Sequence, residues 1–336
     1  MLEVALSLTA GNLLYDTHFA AIQLRRSQLP ALDRLVAILP HGVRIDAKPG
    51  DDVTLDLDGG DSDATVFTGR LTALTRSETG VRLTAENGGT RLAAFRPTVA
   101  FQSLSAGGVI LNLAEELGLT VDIDEDGPKL AFYALEGKLS GAQAVAELAR
   151  LSGQKAAFDG GGTLAVNAAG GSTDRIALKY GREIHALTMS ESEASGTKLN
   201  VVGEGGGDPA VPKGRLIAAD FDQGDAGTAG ADNRRIALPW VRTPDAAHQA
   251  AGALELFRKR QGSPVRLTTF LLPQLAPGME IEFAEMPDHL PLAGMRIEEV
   301  VHSIRPGKGA VTEVSGTGET GTDPLALLGD LLGTLL

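Results

Sequence analysis

The run DIDEDG at residues 122–127 places Asp122, Asp124 and Asp126 at the first, third and fifth positions of a calcium-loop pattern, with Gly127 at the sixth. Such a loop also needs a bidentate glutamate at its twelfth position, and Tyr133 stands there. The run instead continues a strand whose Val121 and Ile123 point inward, which turns its acids to water. VVGEGGGDP (201–209) has the glycine spacing of a dinucleotide-binding turn. That turn must open a helix, so that its N–H groups meet the pyrophosphate. Pro209 and Pro212 follow at once and no helical pattern begins. The six histidines (His18, His41, His185, His248, His289 and His302) include no pair spaced four apart for a helical zinc site. Cysteine is absent, so there is no thiolate ligand, disulfide or cysteine nucleophile. No Gly-x-Ser-x-Gly elbow occurs. The many carboxylates could supply a hydrolytic pair, but no local signature selects two. The sequence therefore predicts no catalytic residue, no metal site and no cofactor.

The elements around these residues are mostly strands. Residues 1–97 read as a meander: DVTLDLD, VFTGRLTAL and VRLTAEN, two of them alternating with period two, lie between Gly/Asp/Ser turns. Residues 98–171 change character. LSAGGVILNLAEELGLTVDID is an amphipathic helix, a stop at Gly118 and a strand. Ser105 is positioned to cap the helix. Thirty-five residues on, LSGAQAVAELARLSGQKAAFD repeats the unit, with Ser140 over Ser105 and Gly153 over Gly118. Two helix–strand units make a small α+β module. Residues 172–320 return to strands, interrupted by a helix at 244–261. Thr243 caps it and Pro244 takes its first position, where a missing N–H costs nothing.

A second repeat links the flanking β regions. PGDDVTLDL…FTGRLTAL…TGVRLTAEN lines up with PGMEIEFAE…LAGMRIEEV…KGAVTEVSG, so 49–87 matches 277–315. Both copies run Pro-Gly-strand, Gly-strand, Gly-strand. The last pair is the weakest, with Leu83 set against Thr312. We read one β-barrel domain written twice, with the module between the copies.

The totals agree with a globular β protein. The chain has 336 residues, 43% of them apolar, and 42 glycines. No apolar run is long enough to span a bilayer as a helix, and MLEVALSLTAGN lacks the basic start of a secretory signal. The net charge is −13 and the densest basic cluster is FRKRQG at 257–262, which argues against a nucleic-acid grip. An acidic wall would let DNA or acidic cargo pass without sticking. Binding sugar calls for aromatic platforms, and Trp240 with Tyr15, Tyr133 and Tyr180 is a small supply. A β-rich carbohydrate-binding module or glycan-active enzyme is the alternative reading.

The segments FTGRLTAL, FRPTVAFQSLSAGGVILNLAEELGL and LAPGMEIEF…LAGMRIEEVVHSIRPGKGAVTEVSGTG, in that order, resemble the hub proteins of contractile tails. This family includes phage late control protein D, the baseplate hubs of tailed phages and the hub portion of type VI secretion spikes. The matching residues include Ala114, Gly118 and Leu119, then His302 and Ser303. The resemblance spans about residues 1–320 and implies a structural, non-enzymatic role. It also implies two tube-like antiparallel barrels per chain (1–97 and 172–320) and a homotrimer presenting six barrels. Such a trimer adapts a sixfold tail tube, or its initiator, above to a threefold spike below. It sits among other baseplate proteins in a virion or injection particle assembled in the bacterial cytoplasm, with DNA or protein cargo passing through its lumen. The chain stops at residue 336 without a spike fold, so the spike is expected to be a separate protein.

The end, GTDPLALLGDLLGTLL (321–336), predicts a short helix capped by Asp323 and started by Pro324. Leu325, Leu328, Leu332 and Leu335 follow a heptad seam, and Leu327, Leu331 and Leu336 widen it. These seven leucines are the predicted spike-docking residues.

Overall fold

The computed structural model describes the chain apart from residues 1–4, 60–62, 191–197, 205–215, 219–232, 239, 260–261, 308 and 321–336. The predicted docking leucines 325–336 therefore lie outside the described residues. The first β region holds β1 (Ala5–Ala10), β2 (Leu13–Tyr15), β3 (Ala21–Ser27), β4 (Arg34–Pro40), β5 (Asp52–Asp58), β6 (Asp63–Ser77) and β7 (Gly80–Glu86). Alternation fixes the face of each strand. In β4, Leu35, Ala37 and Leu39 are buried while Arg34, Val36 and Ile38 face outward. Together the inward side chains form one core around Leu8, Leu24, Leu55, Phe67 and Leu83.

The module follows. It comprises α1 (Gly88–Ala94), β8 (Thr98–Ser105), α2 (Ala106–Glu116), β9 (Val121–Ile123), β10 (Lys129–Glu136), α3 (Gly141–Leu151), β11 (Lys155–Phe158) and β12 (Leu164–Asn167). The two predicted units are present, with their helices thirty-five residues apart. Ser105 caps α2 by accepting from Gly108 N–H at 3.0 Å. Ser140 caps α3 in a reciprocal box, because the Gln143 side chain also accepts from the Ser140 N–H at 2.9 Å. Gly118 and Gly153 end the two helices with φ of 59° and 74°, a conformation that costs glycine nothing. The strands β9 and β12 pair in parallel, which closes the second core.

The second β region begins with β13 (Arg175–Lys179) and β14 (Ile184–Met189). It continues after an interruption with β18 (Ser263–Phe270), β19 (Glu280–Ala284), β20 (Leu292–Arg305) and β21 (Gly309–Thr320). The interruption contains β15 (Lys198–Glu204), β16 (Leu216–Ala218), β17 (Asn233–Ala237) and α4 (Pro244–Lys259). The sequence reading put this stretch inside the second barrel. In the structure β15–β17 make a separate three-stranded sheet, and α4 packs on it with Val201, Leu238, Val241 and Leu151 of α3 in a core of their own. The predicted cap is present: Thr243 Oγ1 accepts from Ala246 N–H at 3.2 Å.

All strands of the two β regions join one thirteen-stranded, mostly antiparallel sheet. Its order reveals the duplication. The first half runs β3-β4-β7-β6-β5-β1 and the second runs β14-β18-β21-β20-β19-β13. The Pro-Gly turns coincide atom for atom. Asp51 N–H donates to Lys48 O at 3.1 Å, and Met279 N–H to Ala276 O at 3.3 Å. Gly50 and Gly278 have φ of 99° and 94°, as the third residue of a type II turn requires. Gly50 N–H then reaches Leu71 O at 2.8 Å, and Gly278 N–H reaches Ile297 O at 2.9 Å. Each long strand carries a bulge one residue later, between Leu71 and Ala73 in β6 and between Ile297 and Glu299 in β20.

Two details differ from the sequence alignment. The ladders place Leu83 over Val314, not Thr312, so the apolar pair Leu74–Leu83 matches Val300–Val314, and Val81 falls on Thr312. Aligning on glycines failed because the glycines mark hairpin tips. The β6–β7 hairpin ends at the Ser77–Gly80 pair, whereas β20–β21 continues past the equivalent Ser303–Val311 pair to Arg305–Gly309. The strand beside the Pro-Gly strand also differs: β1 is antiparallel to β5, but β13 is parallel to β19.

Candidate assembly interface

The two halves meet along one strand pair. β3 of the first half lies antiparallel to the outer part of β20 in the second, from Ser27 opposite Glu299 to Ile22 opposite Ile304. This joint makes the sheet continuous. On its open face Arg25 Nε donates to Glu299 Oε2 at 2.9 Å and a second guanidinium nitrogen closes the fork. Ser27 Oγ donates to the same carboxylate at 3.1 Å, and Gln23 Nε2 reaches Ser303 Oγ at 3.5 Å. On its inner face Ile22, Leu24, Val300 and Ile304 are buried.

Three ionisable groups are buried at the joint. Arg26 follows Ile22 and Leu24 at inward positions of β3, so its guanidinium enters the protein and donates to Phe158 O at 3.3 Å. Burial lowers its pKa, with Asp33 opposing that shift. Asp33 accepts from Ser27 N–H at 2.7 Å and from Asn87 Nδ2 at 2.8 Å. Burial raises its pKa to about 6 despite the nearby Arg26 charge and these two bonds. His302 sits between Val300 and Ile304 on the inward face and its Nδ1 lies 2.9 Å from Thr312 Oγ1. Thr312 Oγ1 also accepts from Leu272 N–H at 3.0 Å. Burial, then Arg26, pushes the His302 pKa down to about 3, and the ring is neutral.

The sequence reading named His302 among the histidines and in the family pattern, and did not single out Arg25, Arg26, Asp33 or Asn87. A signal was present. In AIQLRRS the alternation makes Arg26 an inward residue, and in EVVHSI it does the same for His302. A charged or polar residue in the buried phase of a strand needs a partner, which only the folded chain supplies.

The other predicted features stay apart from the joint. Asp122, Asp124 and Asp126 are exposed at the end of β9, and the backbone carbonyl of Asp126 accepts from Gly107 N–H at 2.8 Å. Among the described residues no group of three or more His, Asp or Glu is placed to hold a metal. The glycine run after Glu204 lies outside the described residues. Trp240 packs edge-on against Tyr133 at 5.9 Å and Tyr15 is buried, which leaves Tyr180 as the exposed one of these four aromatics. A cleft of about 750 Å³ separates α3 from the end of the joint. Its charges are mixed, Glu147, Arg150 and Arg296 among them, and Lys155 Nζ takes Glu298 Oε1 at 2.7 Å. The open face of the main sheet is mixed as well: Arg25, Arg34, Arg82 and Arg266 stand among Glu86, Glu299 and Glu313.

No family model matches the chain, and no curated protein matches it by sequence. Solved structures do. The 43 kDa tail protein of prophage MuSo2 from Shewanella oneidensis is 15% identical with a TM-score of 0.66, over 94% of this chain and 98% of that one. The tail protein from Neisseria meningitidis MC58 is 14% identical with a TM-score of 0.67, over 94% and 96%. An E. coli component of the type VI secretion system, described as similar to the T4 bacteriophage tail proteins gp27 and gp5, is 12% identical with a TM-score of 0.59, over 94% and 79%. The chain has the β-rich fold of these proteins along nearly its whole length. The resemblance read from the sequence motifs holds at the level of fold.

Proposed function

We propose that the protein is a non-enzymatic baseplate hub of a contractile tail or injection particle. Three chains form a ring, and the ring adapts a hexameric tail tube, or its initiator, to a separate trimeric spike. The observation that carries this reading is the internal duplication. Two copies of one six-strand order, locked by the same turn, hydrogen bonds and bulge, give each chain a pseudo-twofold repeat of one surface. Three chains then offer six near-equivalent units to a sixfold partner while remaining threefold themselves. The tail-protein fold supports the same reading.

The particle is assembled in the bacterial cytoplasm, and cargo passes through the ring. The module of residues 88–167 adjoins the strand ends at the joint through Arg26–Phe158 and Lys155–Glu298. It is suited to contact neighbouring baseplate proteins. The leucines at 325–336 dock the spike.

Native mass measurement of the purified chain tests the ring. A trimer, alone or on adding its tube and spike proteins, is expected; a chain that is monomeric under all these conditions overturns the reading. Truncation at Gly321 tests the tail. The truncated hub should still trimerise and lose its spike, and unchanged spike retention refutes the docking role.

A further inference from the structure

The duplication says more than how many units a ring holds. Superposing the two ladders makes β4 equivalent to β18, β7 to β21 and β6 to β20. Leu24, opposite Leu35, is then equivalent to Met189, opposite Val265. Gln23 corresponds to Thr188 and Ile22 to Leu187. On the long strands, Leu74 corresponds to Val300, Arg76 to His302 and Ser77 to Ser303.

In the middle of the sheet, β3 pairs with the outer part of β20. The equivalents of these two partners are β14 and the outer part of β6. Neither has a strand on that side among the described residues. β14 pairs only with β18, and β6 pairs with β5 no further than Arg70. A row of unpaired backbone donors and acceptors on an edge strand is a template for another chain. The side chains agree. Leu24, Ile22 and Val300 are 0%, 2% and 0% exposed within the internal joint. Their counterparts Met189, Leu187 and Leu74 are only half-buried. The free edges thus expose in part three apolar counterparts of residues that the internal joint covers, while the buried His302 and Ile304 are matched by the exposed, oppositely charged Arg76 and Glu78.

We infer that the occupant of each free edge is a second copy of this chain, and that the contact between copies repeats the internal joint: β14 of one chain pairs antiparallel with residues 74–78 of the next. Its register follows from the internal one. Met189 lies opposite Arg76, Thr188 opposite Ser77 and Leu187 opposite Glu78, as Leu24, Gln23 and Ile22 lie opposite His302, Ser303 and Ile304. The contact is heterologous, joining different surfaces of successive copies, so it closes into a ring when the rotation permits. This inference rests on the hub reading and specifies how its ring is joined.

The absence of cysteine allows a clean test. Opposed residues on antiparallel strands have Cα atoms about 4.5–5.5 Å apart, within disulfide reach. Thr188 and Ser77 are both exposed and lie on the open face, so Thr188→Cys and Ser77→Cys leave the core alone. The doubly substituted full-length chain, mildly oxidised, should give two- and three-chain species on a non-reducing gel. Each single variant should give no three-chain species. Gln23→Cys with Ser303→Cys should close within one chain and serves as the folding control. Thr188→Cys with Ala73→Cys is out of register and should link poorly.

A trimer by mass in which Thr188 and Ser77 do not link, or link no better than Thr188 and Ala73, overturns this joint and leaves the hub reading standing. Efficient linking in open chains without a closed trimer supports the joint and overturns the three-chain ring.

Discussion

The twin Pro-Gly turns permit one substitution to be made twice in the same local geometry. Gly50 and Gly278 share a φ near 95° and the same hydrogen bonds, but their surroundings differ. A Cβ on Gly50 meets no atom within 4 Å. Gly50→Ala should therefore lose only the cost of a positive φ, about 1–2 kcal/mol, part of which is offset by about 0.4–1 kcal/mol from a stiffer unfolded chain. The net loss is about 1 kcal/mol. A Cβ on Gly278 would lie 2.6 Å from Ser172 O and 2.8 Å from both Gly171 C and Ser172 N. These are backbone atoms, held by the 2.9 Å bond from Ser172 N–H to Pro277 O, and they cannot swing aside as a side chain would. Overpacking of this kind adds about 1–3 kcal/mol, and a broken hydrogen bond about 1 kcal/mol more. Gly278→Ala should lose about 3–5 kcal/mol. Urea unfolding of the two variants, compared at equal slope, reads the difference directly. Equal losses, or a larger loss for Gly50→Ala, would refute both the packing argument and the equivalence of the turns beneath it.

Two buried groups give opposite pH dependences. Between its unfolded pKa of 6.5 and its folded value of about 3, His302 takes up a proton only in the unfolded chain, so stability falls as pH falls through that window. Between 6 and 3.8 Asp33 binds a proton first in the folded chain, so stability rises as pH falls. The native profile should be shallow from pH 6 to 4, and His302→Asn should tilt it toward greater stability in acid. A variant profile as shallow as the native one would show that His302 does not carry the acid loss. In the module, Ser140→Ala removes the hydroxyl that accepts from Gln143 N–H and donates to Gln143 Oε1, leaving the backbone N–H half of the box in place, and should cost about 1–2 kcal/mol, with Ser105→Ala, which loses a single bond, near the lower end of the usual range of about 0.5–2 kcal/mol. Thermal melts rank the two, and a greater loss at Ser105 would contradict the reciprocal cap.

The sequence by itself determined what depends on near neighbours along the chain. The strand faces followed from period-two alternation, because the pleat sends successive side chains to opposite sides. The caps at Ser105, Ser140 and Thr243 and the stops at Gly118 and Gly153 followed from orphan backbone groups within one helical turn. The duplication was legible because a Pro-Gly turn needs those two residues wherever it occurs. What only the tertiary structure decided were pairings between distant strands. The contact of β3 with β20 joins residues more than 270 positions apart, and backbone ladder bonds leave no side-chain signature of their partner. The same gap hid the parallel placement of β13, the two-residue shift of Leu83 onto Val314, and the grouping of α4 with α3. Glycines identified the turns but not the ladder positions, since a hairpin can lengthen by whole pleats without changing which side chains face the core. Arg26 and His302 stood out as polar residues in buried phases, yet Arg26 came to bear on the His302 ring only when the two halves of the sheet met.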